Sequence, residues 1–133
     1  MTISFFDWSE YLNLATQLSR NSDEASQRSS ISRAYYCVYH KASEHAVVSG
    51  YVDQRSHAKL WDVYGRSADN SCRKLHDLGS RMKKERVAAD YDPAAARLPE
   101  RMAVQLDRAN AFLTRLAGLP LTFPGPKPEP FMA

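Results

Sequence analysis

The sequence predicts an all-α fold, an antiparallel four- to five-helix bundle with a proline-rich C-terminal tail. Three observations predict it. Apolar residues recur at three- and four-residue steps along most of the chain. No segment alternates apolar and polar residues as a half-buried strand does. Before the tail, glycine and proline other than Gly79 fall at positions that read as helix ends or starts, and five of the seven prolines lie beyond Gly118. The helices so delimited cover roughly 70% of the chain, against the third or so of an average globular protein.

The first helix is expected to open at Asp7, an N-cap with Glu10 at the third helical position and Phe6 and Tyr11 spaced as a hydrophobic staple, and to run to about Ser19. Asn21 followed by Glu24 repeats the capping pattern. No Gly or Pro then interrupts the chain before Gly50, which predicts one long second helix. Along it Ile31, Ala34, Tyr35, Val38, Ala42, His45 and Ala46 form one stripe, and Tyr36, Tyr39, His40 and Ser43 a neighbouring one. A helix apolar over that width must touch more than one neighbour, as the central helix of a bundle or as part of a subunit interface.

A short third helix is expected over Ser56–Tyr64, with Ala58, Leu60, Trp61 and Tyr64 as its contacts and Gly65 as its stop. The fourth runs from about Asn70 to Ala89, with Cys72, Leu75, Gly79, Met82 and Ala89 inward and a basic set, Arg73, Lys74, Arg81, Lys83, Lys84 and Arg86, elsewhere. That set reads as a solvated face or as a track for RNA. Asp92-Pro93 ends the helix, because a residue preceding proline is driven out of helical geometry. Pro99 opens a fifth helix in which Met102, Leu106, Ala109, Leu113 and Leu116 give a four-three-four-three repeat up to Gly118. The chain divides into a helical domain over 1–118 and a tail over 119–133, where Pro120, Pro124, Pro126, Pro128 and Pro130 favour extended geometry, either mobile or laid across a partner through Leu121, Phe123 and Phe131.

Composition restricts the function classes. With 133 residues the chain has the size of one domain, and no apolar run approaches the roughly 20 residues needed to cross a bilayer, so no membrane role is expected. Met1–Trp8 lacks the basic start and apolar stretch of a secretory signal, and a cytoplasmic location is expected. Cys37 and Cys72, the two cysteines, lack metal-ligand spacing and read as small core residues in a reducing compartment; no metal and no cofactor are expected. A net charge of +3 is too small to prove nucleic-acid binding by itself.

Two stretches carry a resemblance: Ser30–Ala42, SISRAYYCVYHKA, and Arg86–Asp92, RVAADYD. In order and at this separation they resemble the HEPN superfamily, small helical proteins whose second helix of the form RAYYxxxHxA packs on a fourth ending in RxxADYD. The resemblance spans Asp7 to Gly118. It implies a homodimer and a toxin–antitoxin or phage-defence setting, often beside a nucleotidyltransferase or an antitoxin protein. For active members it implies metal-independent cleavage of RNA by an arginine and a histidine four to six residues apart on one helix, paired with the same two residues of a second subunit. The arginine would hold the scissile phosphate and the histidine would move the proton of the 2'-hydroxyl.

Carried onto this chain, the pattern points to Arg86, Asp90 and Tyr91, but no histidine follows Arg86 as far as the C-terminus. Aspartate, with an ordinary pKa of about 3.9, is a weak base at neutral pH. A formal arginine-x6-histidine match exists instead at Arg33 and His40 on the second helix. The candidate catalytic set is therefore Arg86, Asp90, Tyr91, Arg33 and His40. Arg86 and Asp90 can also be read as a surface i,i+4 pair worth about 0.2–0.5 kcal/mol. His40 can be read as a hydrogen-bonded core or interface histidine, while His45, His57 and His76 are expected to be structural or solvated. Tyr91 is implied by the resemblance as an acceptor of nucleotides from a partner enzyme. Two functions remain open: an RNA-binding, RNA-cleaving dimer, and a non-catalytic module that docks a nucleotidyltransferase or binds a nucleotide.

Overall fold

The computed structural model describes residues 5–51 and 56–120. Among them the chain forms five helices and no strand: α1 (Ser9–Leu18), α2 (Glu24–Val48), α3 (His57–Gly65), α4 (Asn70–Tyr91) and α5 (Leu98–Ala117). The expected tail contacts of Leu121, Phe123 and Phe131 lie outside the described residues, but Leu119 is buried with the main core, so the bundle extends past Gly118.

Capping chemistry sets the ends. Asp7 Oδ1 accepts the Ser9 amide at 2.9 Å, one position outside the residue that caps α1, and the Phe6 and Tyr11 rings meet edge to face at 5.6 Å as the staple requires. Asp23, rather than Asn21, caps α2: its carboxylate accepts the Ser26 amide, while the Asn21 amide group bonds the Ser26 hydroxyl. At the other end Gly50 takes φ +102°, and the Gly50 and Tyr51 amides return to Val47 O and Ala46 O. This Schellman closure stops the helix and turns Tyr51 back into the core. Ser56 and Asp69 cap α3 and α4.

Helix α2 is the central element, packed against α1, α5 and α4. Its two apolar stripes are the reason: ten of its residues are buried, from Ser30 to Ala46. On α1 only Ala15 is fully buried, and Ser30 Oγ donates to Ala15 O at 2.7 Å, so small side chains bring the two backbones together. Helix α3 rests on α4, with the Trp61 indole over Gly79, and Tyr64 ties it to α2 by donating to Ala42 O at 2.8 Å. Along α2 and α4 the contacts run in opposite senses, Arg28 with Asp92, Ser32 with Asp90 and Tyr35 with Arg86, so these two helices are antiparallel.

Helix α5 buries Leu98, Met102, Gln105, Ala109, Phe112 and Leu116. Of the expected repeat Met102, Ala109 and Leu116 are buried, while Leu106 and Leu113 pack only partly buried against the core and Gln105 and Phe112 take the inner positions beside them. Gln105 is fully buried: its amide donates to Ile31 O at 3.2 Å and Met82 O at 3.1 Å and so joins α5 to α2 and α4. No helix is long and apolar enough to cross a membrane among the described residues.

Candidate functional site

The polar residues of the two motifs meet where the first half of α2 lies against the last turns of α4. On α2, Arg33, Tyr36 and His40 follow at steps of three and four, and Ser32, Tyr35 and Tyr39 form the adjacent line. Opposite them α4 presents Lys83, Arg86 and Asp90 at the same spacing.

Arg86 is not the surface residue that an i,i+4 pair would make it. It is 9% exposed and shares the inward stripe of Met82 and Ala89. Its guanidinium carbon lies 5.7 Å from the Tyr35 ring centre and 5.4 Å from that of Tyr36. Aromatic faces stabilise a buried cation by their quadrupole, which a helical-wheel reading of α4 alone cannot anticipate. The guanidinium is only partly satisfied otherwise. Nη1 makes a long contact of 3.5 Å to Asp90 Oδ2, and Nε is sealed from solvent with no hydrogen-bond partner. Asp90 Oδ2 also accepts the Ser32 hydroxyl at 3.2 Å, joining the two motifs.

Tyr91 stands apart. As the last residue of α4 it is 73% exposed and takes no part in the ring cluster. Arg33 and His40 do join the others, though as flanks of Tyr36 rather than as a paired base and cation. The Arg33 guanidinium lies over Tyr11 at 5.0 Å and beside Tyr36 at 5.7 Å. The His40 imidazole stacks on the Trp8 indole, with centres 3.5 Å apart and planes 9° off parallel, and its centre is 6.3 Å from that of Tyr36.

The sequence reading missed His57. The first turn of α3 places its ring on Tyr39, centres 4.0 Å apart, and 5.9 Å from Tyr36, while Nδ1 shares a 2.6 Å hydrogen bond with Tyr35 Oη. Tyr35 Oη in turn receives the Trp61 Nε1 proton at 3.1 Å. Burial, followed by the positive charges of Arg86 and Lys83 and by His40, holds the His57 pKa below its ordinary value. Burial pushes the Tyr35 phenol well above the usual tyrosine range, so it stays protonated. Nothing in sequence spacing could tie His57 to Arg86, 29 positions away; the only local signal was Ser56, whose capping role fixes His57 at the start of a helix.

The basic set of α4 does not form one track. Arg73 is committed to Ser67 O and Ala68 O, Lys74, Arg81 and Lys84 are exposed, and Arg86 and Lys83 alone belong to the patch. Cys37 and Cys72 are buried free thiols, both pushed up to about 11 chiefly by burial. Among the described residues no group of three or more His, Cys, Asp or Glu is disposed to hold a metal ion. In comparison with known proteins, no family model, no curated protein and no solved structure matches the chain.

Proposed function

We propose that this protein is an RNA-binding helical module of the HEPN type, acting as a homodimer in a toxin–antitoxin or phage-defence setting, with the patch around Tyr36 as its RNA contact. One observation supports it above the rest. Two guanidiniums and two imidazoles surround a single, partly exposed tyrosine ring: Arg86 at 5.4 Å, Arg33 at 5.7 Å, His57 at 5.9 Å and His40 at 6.3 Å. Cations that neutralise phosphates, interleaved with an aromatic face on which a base can stack, are what a single strand needs for binding. Binding is favoured over cleavage, because the one carboxylate at the motif position, Asp90, is engaged by Arg86 and Ser32.

The test is fluorescence anisotropy with a single-stranded RNA oligonucleotide across a salt series. Binding that weakens steeply with salt, and that falls roughly tenfold in Tyr36→Ala and in Arg33→Ala, is the expected outcome. Binding that is absent at low salt, or indifferent to both substitutions, refutes it. Total RNA incubated with the protein and a chelator should stay intact; fragments that vanish in Arg86→Ala would move the assignment to a metal-independent ribonuclease.

The exposure of Tyr91 favours a second reading, a non-catalytic partner of a nucleotidyltransferase. The phenolic oxygen would attack the α-phosphate of a nucleoside triphosphate and pyrophosphate would leave. Intact mass after incubation with a cognate transferase and nucleotide rises by one nucleotidyl group under this reading and is unchanged without it.

A further inference from the structure

Trp61 and Tyr35 decide which nitrogen of His57 carries the proton. An indole N–H can only donate, so at 3.1 Å the Trp61 Nε1–H donates and Tyr35 Oη accepts. The proton of Tyr35 then has one acceptor among the described residues, His57 Nδ1 at 2.6 Å. Nδ1 must offer its lone pair, which leaves the ring neutral with its hydrogen on Nε2. A hydrogen on Nδ1, in the other tautomer or in the imidazolium, would point two donors at the Tyr35 oxygen and strand the phenol proton inside a fully buried side chain.

From α4 the ring faces Arg86 and Lys83 and from α2 His40, whose positive charge disfavours a second proton on it, and it also meets the Tyr35, Tyr36 and Tyr39 rings of α2; among the described residues no carboxylate adds an opposing charge. Arg86 and His57 flank the same pair of rings, Tyr35 and Tyr36, each within 6 Å of both. Arg86 is nine-tenths buried with Nε unpartnered and one long contact to Asp90, so its capacity to donate is largely unused. Among the described residues His57 Nε2 likewise has no hydrogen-bond acceptor.

We infer that His57, held as a neutral Nε2–H donor by the Trp61–Tyr35 chain, forms together with the Arg86 guanidinium a binding site for a phosphate oxyanion. The inference rests on the RNA reading above only for the source of that phosphate. His57 acts as a donor and not as a base, since its lone pair is occupied by Tyr35. Lys83 supplies attraction at longer range, and Tyr35 is a positioning residue that acts through His57.

The test uses the full chain labelled with 15N and two-bond 1H–15N correlation spectra of the histidine rings at neutral pH. The expected pattern for His57 is an unprotonated Nδ1 and a protonated Nε2. Addition of inorganic phosphate should then shift the His57 Nε2–H and Arg86 guanidinium signals in a saturable way, as should a short RNA. His57→Gln, which keeps a side-chain N–H, should retain phosphate affinity within about threefold, whereas His57→Ala should lose roughly tenfold, the worth of a hydrogen bond to an anion. A proton on Nδ1, or a His57 that neither phosphate nor RNA moves, overturns the inference. Phosphate that moves His57 while RNA fails to bind leaves the site standing and removes the RNA reading; RNA that binds without touching His57 does the reverse.

Discussion

Substituting Gly79 by alanine sets two opposing effects against each other, and the structure says which wins. Gly79 is an interior residue of α4, where alanine is the better helix former by roughly 1 kcal/mol. Yet a Cβ there would stand 2.5, 2.6 and 2.7 Å from three ring carbons of Trp61. Carbon atoms rest at about 3.5–4.0 Å, so the indole would have to retreat by roughly 1 Å. It has nowhere to go: it is 3% exposed, meets Phe112 edge to face at 5.8 Å, and is tied to Tyr35 through Nε1. Overpacking of this kind costs about 1–3 kcal/mol, and a broken Trp61–Tyr35 bond adds about 1 kcal/mol. Set against the gain in propensity, Gly79→Ala should destabilise the fold by about 1–3 kcal/mol. The assay is urea unfolding followed by tryptophan fluorescence and far-ultraviolet circular dichroism, with the midpoint falling at unchanged slope. A variant as stable as the parent, or more stable by about the propensity difference, would refute the packing argument. The same displacement should release the His57 tautomer, visible as a second ring form in the histidine spectra.

Three further outcomes follow from named contacts. Gln105→Leu fills the same space while removing a buried carbonyl oxygen that has no partner, so its stability in urea should stay within about 1 kcal/mol of the parent, whereas Gln105→Ala should lose about 2–4 kcal/mol to the cavity. Arg28→Ala removes the donor that Nη1 gives to Ala89 O at 2.9 Å and Asp92 O at 2.7 Å, and should cost about 1–2 kcal/mol together with faster amide hydrogen exchange over the last turn of α4. His57 and His45 are both held below the ordinary value of 6.5, so the unfolded chain binds more protons as the pH falls. Their stabilisation is fully present above pH 6.5 and declines as pH drops through that value toward their folded-state pKa values. Thermal midpoints measured from pH 8 to 5 should decline accordingly, and less steeply in His57→Gln.

Much of the fold was legible because helix boundaries are written in single residues. Ser56 and the Asp92-Pro93 step act on their immediate neighbours, and the structure places those ends within a residue or two of expectation. Asp23 in place of Asn21 shows the limit: both can cap, and the choice falls to whichever carboxylate or amide meets the Ser26 amide as the chain turns into α2. On α5 Met102, Ala109 and Leu116 lie inward as the repeat predicts, but Gln105 joins them, because it is polar to any hydropathy count yet finds two carbonyl acceptors on other helices.

The site divides along the same line. Motif spacing brought Arg33, His40, Arg86 and Asp90 to attention, and four of the five candidate residues do converge around Tyr36 or its neighbours, leaving Tyr91 outside. The burial of Arg86 and the arrival of His57 were beyond reach of the sequence. A periodic pattern reports which face of one helix is apolar, and so it placed the helix ends to within a residue or two and required α2 to touch more than one neighbour, inside the bundle or at a subunit interface. Which side chains from α2, α3 and α4 share one surface depends on how those helices settle against each other, a matter of Trp61 seated on Gly79 and two tyrosine rings packed against a guanidinium, and packing of that kind exists only once the chain has folded.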